Sequence, residues 1–330
     1  MARSLLLGVE LPPVPVGATS DDAGASASPG TPARPGPDVG AWWEAARAAA
    51  DAGAGVVWFR GAGGPATLSC DACTIAAAAV DQVPGVHLGV VSSVPLERHP
   101  AVLAREVTAL DVVSDGRAAV LLQWSASDRS SGIVEVSEQF AEAVAVCSAV
   151  LREEDPVFEG RHFHVAGALN RPPPVQEGGP PVFSGAPAGP AALASARDAT
   201  GFGALRLVLR AASAIVCSDD PADVSTWKYA IDEAIAVSGA GGSAPPALVC
   251  RTTMQAATGQ RRPDSDLGPA LAARLRAARD AGADGVIVRL PPSRRVDLAR
   301  RGMPRHGSVA PPPSSVLGPA LRERFAPWTD

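Results

Sequence analysis

Eight short apolar runs, separated by longer helical patterns, limit most strongly what this chain can fold into. Runs that are apolar throughout are typical of strands covered on both faces, as in a parallel sheet. Strands that alternate with helices favour right-handed βαβ units. The predicted strands are Leu5–Glu10, Val56–Phe59, His87–Val91, Ala118–Gln123, Pro181–Ser184, Leu205–Leu209, Ala247–Arg251 and Val286–Arg289.

A repeated junction between helix and strand narrows the architecture. Ala50–Gly53, Arg197–Gly201 and Arg279–Gly282 each end in a glycine just before a predicted strand, as expected where a helix closes. Three copies of one junction and eight strand–helix units predict an α/β protein with a (β/α)8, or TIM, barrel. A doubly wound open sheet is the alternative.

Some segments fall outside this rhythm, within what we expect to be one barrel domain over residues 1–330. Val16–Pro37 is rich in Gly, Ala, Ser and Pro and predicts a flexible loop. Asp155–Pro181 predicts an insertion that holds a short strand or hairpin and then a proline run. A last short helix is expected around Leu317–Phe325.

Composition and charge exclude several classes of partner. The 29 basic and 34 acidic residues are well mixed, with a net charge of −5, so a nucleic-acid partner is not expected. No stretch approaches the roughly 20 apolar residues of a membrane span, and Glu10 interrupts the apolar start, so we expect a cytoplasmic protein without a membrane partner. Neither the Cys70/Cys73 pair nor His162 and His164 has enough neighbouring ligands, and no metal is expected.

The segment His99–Gly201, about a third of the chain, resembles the bacterial-luciferase-like family of flavin- and deazaflavin-dependent oxidoreductases. The resemblance implies a barrel enzyme that binds FMN or coenzyme F-420, acts on a small organic molecule and forms a homodimer. It is carried by the order and spacing of His99-Pro100, Leu110-Asp111, Ser114-Asp115-Gly116-Arg117, Phe158-Glu159-Gly160-Arg161-His162-Phe163, Pro174-Val175-Gln176 and Gly179-Pro180-Pro181-Val182.

The resemblance also implies where a cofactor would bind. The turn after the fifth predicted strand matches the turn that grips the cofactor phosphate in the family. Small residues at a helix start let backbone amides approach an anion. At Ser92 the family has a non-proline cis peptide behind the flavin ring. The residues predicted to bind the cofactor are Ser92, Ser184, Gly185, Ala186 and Gly189.

Barrel active sites lie at the carboxyl ends of the strands, and this rule sorts the remaining candidates. Arg117 precedes a strand, so we expect it to bond helix-end carbonyls on the opposite face. His99 lies on the correct face and is a weak candidate for catalysis. Other polar residues predicted at carboxyl strand ends are Glu10, Arg210, Thr252, Thr253 and Arg289.

Two positions depart from the family where chemistry would occur. Arg60 stands where relatives carry a polar pair such as Asp-His, and Trp124 stands where many have a glycine-rich turn. An arginine can hold a carboxylate or phosphate and an indole can stack on a flat ring, so both are candidates to reshape the pocket or to close it. Two functions stay open: a flavin-dependent oxidoreductase or monooxygenase, and a barrel without catalysis that binds a ligand or a partner subunit.

Overall fold

Eight parallel strands close into a barrel in the computed structural model, which describes residues 6–11, 39–51, 53–61, 71–94, 98–124, 133–185, 201–238, 245–253 and 267–290. The strands are β1 Leu6–Glu10, β2 Val56–Arg60, β3 His87–Val94, β4 Ala118–Trp124, β5 Phe158–Glu159, β6 His164–Val165, β7 Val182–Gly185, β8 Ala214–Ser218, β9 Ala247–Thr253 and β10 Gly285–Arg289. The barrel order is β1-β10-β9-β8-β7-β4-β3-β2, and β5 and β6 form a separate hairpin. The predicted TIM barrel is therefore confirmed over the open sheet.

The helices begin and end where local chemistry allows. The imidazole Nδ1 of His99 accepts a hydrogen bond from the Ala101 amide at 3.2 Å, and Pro100 occupies the first turn. Gly53 and Gly282 have φ values of 91° and 102°, which favour glycine at a helix end. The described helices are α1 Val39–Asp51, α2 Ala72–Ala78, α3 Pro100–Val113, α4 Ile133–Arg152, α5 Gly201–Ala211, α6 Pro221–Ser238 and α7 Leu267–Asp280.

The strand predicted at Leu205–Leu209 is wrong, because these residues belong to α5. Leucines at every second position imitate a strand, but Arg206 and Arg210, four residues apart, share one side of a helix. The sixth barrel strand is β8, whose Ala214–Cys217 run is buried between β7 and β9. The junction at Arg197–Gly201 therefore does not precede a strand, since Gly201 begins α5.

The inside of the barrel is filled by alternate strand residues. Trp58 and Phe183 meet there edge to face, with their ring centroids 4.9 Å apart. Gly89 makes room for the indole, because a Cβ at this position would lie 2.1 Å from Cε3 of Trp58. The barrel is a packed core, so a ligand must bind outside the strand ends.

The insertion and the amino-terminal face behave as predicted. Three successive amides, from Arg161 to Phe163, donate to the Glu142 carboxylate at 2.7–3.0 Å and hold the β5–β6 hairpin against α4. Arg117 donates to the carbonyls of Val80, Val83, Val86 and Ser114. Its predicted structural role is confirmed.

The segments Val16–Pro37 and Leu317–Phe325 lie outside the described residues. Within the described helices, none is both long and apolar enough to cross a membrane.

Candidate functional site

A buried carboxylate marks the carboxyl end of the barrel. Glu10 is the last residue of β1, and its side chain is only 1% exposed. Its neighbours along β10 and β2 are Arg289 and Trp58, and the indole fills the barrel directly beneath. Alternation along β1 turns the Glu10 side chain into the barrel. A carboxylate in this position requires cationic partners, because burial without them is costly.

Three arginines surround Glu10. Nε of Arg60 lies 2.6 Å from Oε1 of Glu10, and Nε of Arg289 lies 3.0 Å from the same oxygen. Nη1 of Arg251 is 3.8 Å from Oε2, which has no hydrogen-bond partner among the described residues. The carboxylate is thus shared by cations from β2, β9 and β10.

An amide links the arginines across the barrel. Oε1 of Gln123, at the end of β4, accepts from Nη2 of Arg60 at 2.8 Å and from Nη1 of Arg251 at 2.9 Å. Its Nε2 donates to Oγ of Ser93 at 3.2 Å. We call Glu10, Arg60, Gln123, Arg251 and Arg289 the mouth network. It joins five strand ends at the face where barrel active sites lie.

A cavity of about 590 Å³ opens beside the mouth network. This volume falls in the range of small-molecule and cofactor sites. Strand ends supply one side of the cavity, and α6, α7 and the loop after β8 supply the other. Its lining residues are Gln123, Trp124, Gly185, Val216, Cys217, Ser218, Asp219, Asp223, Trp227, Arg251, Thr253, Arg274 and Arg289.

One ion pair and one further carboxylate lie on the helix side of the cavity. Nη1 of Arg274 lies 3.3 Å from Oδ2 of Asp219, and Ser218 Oγ donates to the Asp223 carboxylate. Asp219 is therefore neutralised by Arg274, whereas Asp223 keeps its negative charge, because a hydroxyl carries none to offset it. Burial raises the pKa of Cys217 to about 12, so the cavity thiol stays protonated at neutral pH and is a poor nucleophile.

Burial also acts on the arginines. The pKa of Arg251 is lowered to about 10, chiefly by burial and in addition by the nearby cations Arg289 and Arg60, while Glu10 opposes the change. The pKa of Arg60 is lowered for the same main reason, burial, against attraction from Glu10. At neutral pH both guanidinium groups remain charged. The barrel mouth is therefore a partly desolvated, positively charged surface.

No catalytic residue is assigned from the sequence, and the structure places its three weak candidates, Arg60, Trp124 and His99, differently. Arg60 belongs to the mouth network but does not line the cavity. Trp124 ends β4, lines the cavity and packs against the apolar layer between barrel and helices, while Gln123 turns into the barrel. His99 is exposed, caps α3 and meets the Phe163 ring edge to face, with centroids 5.4 Å apart. It is not in the described lining of the cavity.

The predicted cofactor-binding residues are brought together only in part. Gly185 lines the cavity, whereas Ser184 is buried beside Leu122 and Ile215 on the helix side of the strands. Ser92 pairs with Leu122 on that same side, and Ser93 is the serine that reaches the mouth. Ala186 and Gly189 lie outside the described residues.

A cis peptide at Ser92 is not observed. Within the described residues the cis bond is Arg171–Pro172, and the peptide bonds of β3 are trans. The non-proline cis bond that the family has at this position is therefore absent from β3.

Sequence reasoning also misplaced or missed several polar residues. Arg210 is helical and stands at no strand end, because the strand predicted there is α5. Thr252 faces the helices, where its Oγ1 accepts from Arg274. Arg251 was not singled out, although alternation with Thr253 at the end of β9 is the signal that turns both into the barrel.

Comparison with known proteins identifies a family for more than half of the chain. The sequence model of a family described as luciferase-like monooxygenase matches residues 18–214, more than half of the chain. The match contains the first four barrel strands after β1 and reaches the first residue of β8.

Solved structures share the fold over nearly the whole chain. EDTA monooxygenase from Chelativorans sp. BNC1 is 16% identical with a TM-score of 0.59, covering 98% of both chains. Monooxygenase RslO1 from Streptomyces bottropensis is 18% identical with a TM-score of 0.61, covering 91% of this chain and 96% of that one. The coenzyme F-420 dependent tetrahydromethanopterin reductase from Methanopyrus kandleri is 14% identical with a TM-score of 0.59, covering 92% and 99%.

Proposed function

Because the chain belongs to the luciferase-like monooxygenase family, we propose that it is a flavin-type oxidoreductase that uses FMN or coenzyme F-420 on a small organic substrate. The observation that carries the proposal is the cavity of about 590 Å³ at the carboxyl ends of the strands. Active sites of this fold lie at that face, and the other end of the barrel interior is packed.

The residues around the cavity suit a flavin or deazaflavin in both charge and surface. Such cofactors combine a flat ring system with an anionic phosphate. Arg251 and Arg289 offer cationic hydrogen-bond donors, and Val216, Trp124 and Trp227 offer apolar surface. Gly185 lets the end of β7 lie close to β4. A Cβ added at this position would lie only 3.0 Å from Cβ of Gln123.

We propose that the ring rests near Trp124 and the arginine side of the cavity. The phosphate would bind to backbone amides between Ser184 and Gly189, the segment that the resemblance implies, of which Ser184 and Gly185 are described. Ser92 faces the helix side and has no part in this arrangement, so Ser93 replaces it as the polar group of β3 at the mouth. The bound cofactor would supply the redox chemistry, which no side chain can provide.

The side chains of the mouth network contribute electrostatics and not proton transfer. Arg60, Arg251 and Arg289 remain charged near neutral pH, so none can act as a general base. Fixed cations in a partly desolvated site stabilise negative charge that develops on a ligand during reaction. Glu10 holds two of the guanidinium groups in place and is buried beneath the ligand space.

Direct titration tests the proposal. Purified protein is added to FMN and, separately, to F-420, and quenching of cofactor fluorescence is followed to saturation. We expect saturable binding of one cofactor, and weaker quenching with Trp124→Leu, because Trp124 lines the cavity. Trp43→Leu is the matched control, because Trp43 lies on α1 and not in the cavity lining. Saturable binding of neither cofactor would refute the proposed function.

A second function is favoured by one specific observation. The mouth network crosses the barrel opening at Arg60 and Gln123, positions at which relatives carry smaller or different polar residues. This filling supports a barrel that binds a ligand or a partner subunit without cofactor chemistry. The same titration separates the two functions, because only the first requires FMN or F-420 to bind.

A further inference from the structure

The mouth network contains more positive charges than negative ones. Arg60, Arg251 and Arg289 face a single carboxylate, that of Glu10. The other carboxylates in the described cavity lining are Asp219, which pairs with Arg274, and Asp223, which accepts from the Ser218 hydroxyl. The mouth network therefore holds two formal positive charges in excess among the described residues, and the unpaired charge of Asp223 across the cavity leaves a net excess of one.

These cations are not simply solvated surface groups. The side chains of Arg60, Arg251 and Arg289 are 16%, 24% and 33% exposed. Like charges brought together with limited solvent repel one another, and the lowered pKa of Arg251 has burial and its two cationic neighbours among its causes. An arrangement of this kind is stabilised by any anion that enters.

Two of the guanidinium groups also have unused donors in the cavity. Arg251 uses Nη1 on Gln123, and Arg289 uses Nε on Glu10. No acceptor among the described residues bonds their other nitrogens, and both side chains line the cavity. The planar guanidinium fork matches two oxygens of a carboxylate or phosphoryl group.

We propose that Arg251 and Arg289 form an oxyanion-binding site, which holds a carboxylate or phosphoryl group of the ligand at the barrel side of the cavity. Gln123 and Glu10 orient the two arginines from behind, and Arg60 adds a third positive charge at the same carboxylate. The site is independent of the proposed redox function, because it needs only the described side chains. The ligand class is a small organic acid or a phosphate ester.

Calorimetric titration of the full-length protein provides the test, with succinate, its neutral analogue succinamide, and inorganic phosphate as probes. We expect succinate or phosphate to bind, with affinity that falls as salt rises, and succinamide not to bind. Arg251→Gln and Arg289→Gln should each weaken binding at least about tenfold, as expected for lost hydrogen bonds to a charged group. Arg279→Gln makes the same change of charge on α7 outside the cavity lining and should leave affinity unchanged.

Arg289→Lys keeps the positive charge but removes the planar guanidinium group. A loss of affinity in this folded variant would therefore come from lost recognition of the oxyanion and not from misfolding. The substitution should still weaken binding severalfold, because lysine presents a point charge. Competition between phosphate and FMN, with riboflavin unaffected, would assign the oxyanion to the cofactor. Succinate binding in the presence of FMN would assign it to the substrate.

Succinate binding without binding of FMN or F-420 would leave the oxyanion site standing and remove the proposed redox function. Equal affinity for succinate and succinamide would overturn the site. Unchanged affinity in folded Arg251→Gln and Arg289→Gln variants would do the same.

Discussion

Replacing Glu10 by glutamine removes the one carboxylate on which the mouth network depends. At an effective dielectric constant of about 20, its contacts of 2.6 Å and 3.0 Å correspond to roughly 6 kcal/mol of gross attraction each. Most of that attraction offsets desolvation, and removal of one partner from a buried ion pair costs about 3–5 kcal/mol. Because the arginines keep 16–33% of their side-chain exposure, we expect the lower end, about 3 kcal/mol.

Thermal unfolding measures this loss. For a chain of this length 1 kcal/mol shifts the Tm by about 1.4 °C, so Glu10→Gln should lower the Tm by about 4 °C. Glu154→Gln is the control, since its bridge to Arg171 is at 3.5 Å and its side chain is 88% exposed. That variant should unfold like the wild type. A Glu10→Gln protein that melts within about 1 °C of the wild type would refute a stabilising role for the carboxylate.

Two further predictions concern the barrel itself. Gly89→Ala should destabilise the protein by about 2–3 kcal/mol in urea unfolding, because its Cβ would overlap Trp58, and Trp58→Leu in the same chain should recover part of the loss. An additive double variant would contradict this packing. Burial lowers the pKa of His87 to about 3, so between pH 6.5 and 3 the unfolded chain binds the additional proton. Stability should then fall with falling pH by at most about 1.4 kcal/mol per unit from this group, and His87→Gln should flatten the slope. An identical slope in both proteins would show that His87 does not titrate on unfolding.

Local signals were sufficient for most of the barrel. The apolar runs at Val56, His87 and Ala118 lie at strands that are buried on both faces, and the glycine ends at Gly53 and Gly282 have the predicted conformation. The prediction of the sixth strand at Leu205–Leu209 is wrong, because leucine at every second position imitates the period of a strand. Packing of α5 against α4 decides that segment, and such a contact is invisible to periodicity.

Individual residues of the candidate site could be predicted from the ends of their strands, but the contacts between strands could not. Glu10 and Arg289 close their strands and could be named from the sequence. Arg251 meets Gln123 across 128 residues of sequence, and their pairing depends on barrel closure and strand register. The resemblance points to Ser92, whereas Ser93 reaches the mouth, because a shift of one residue exchanges the two faces of a strand.

A crystal structure of the protein grown with saturating FMN, or with F-420, tests the central proposal most directly. We predict electron density for the cofactor ring in the cavity lined by Trp124, Arg251 and Arg289, with the cofactor phosphate beside Gly185. Density for the ring at another surface would contradict the proposal, and so would an empty cavity in crystals grown with each cofactor.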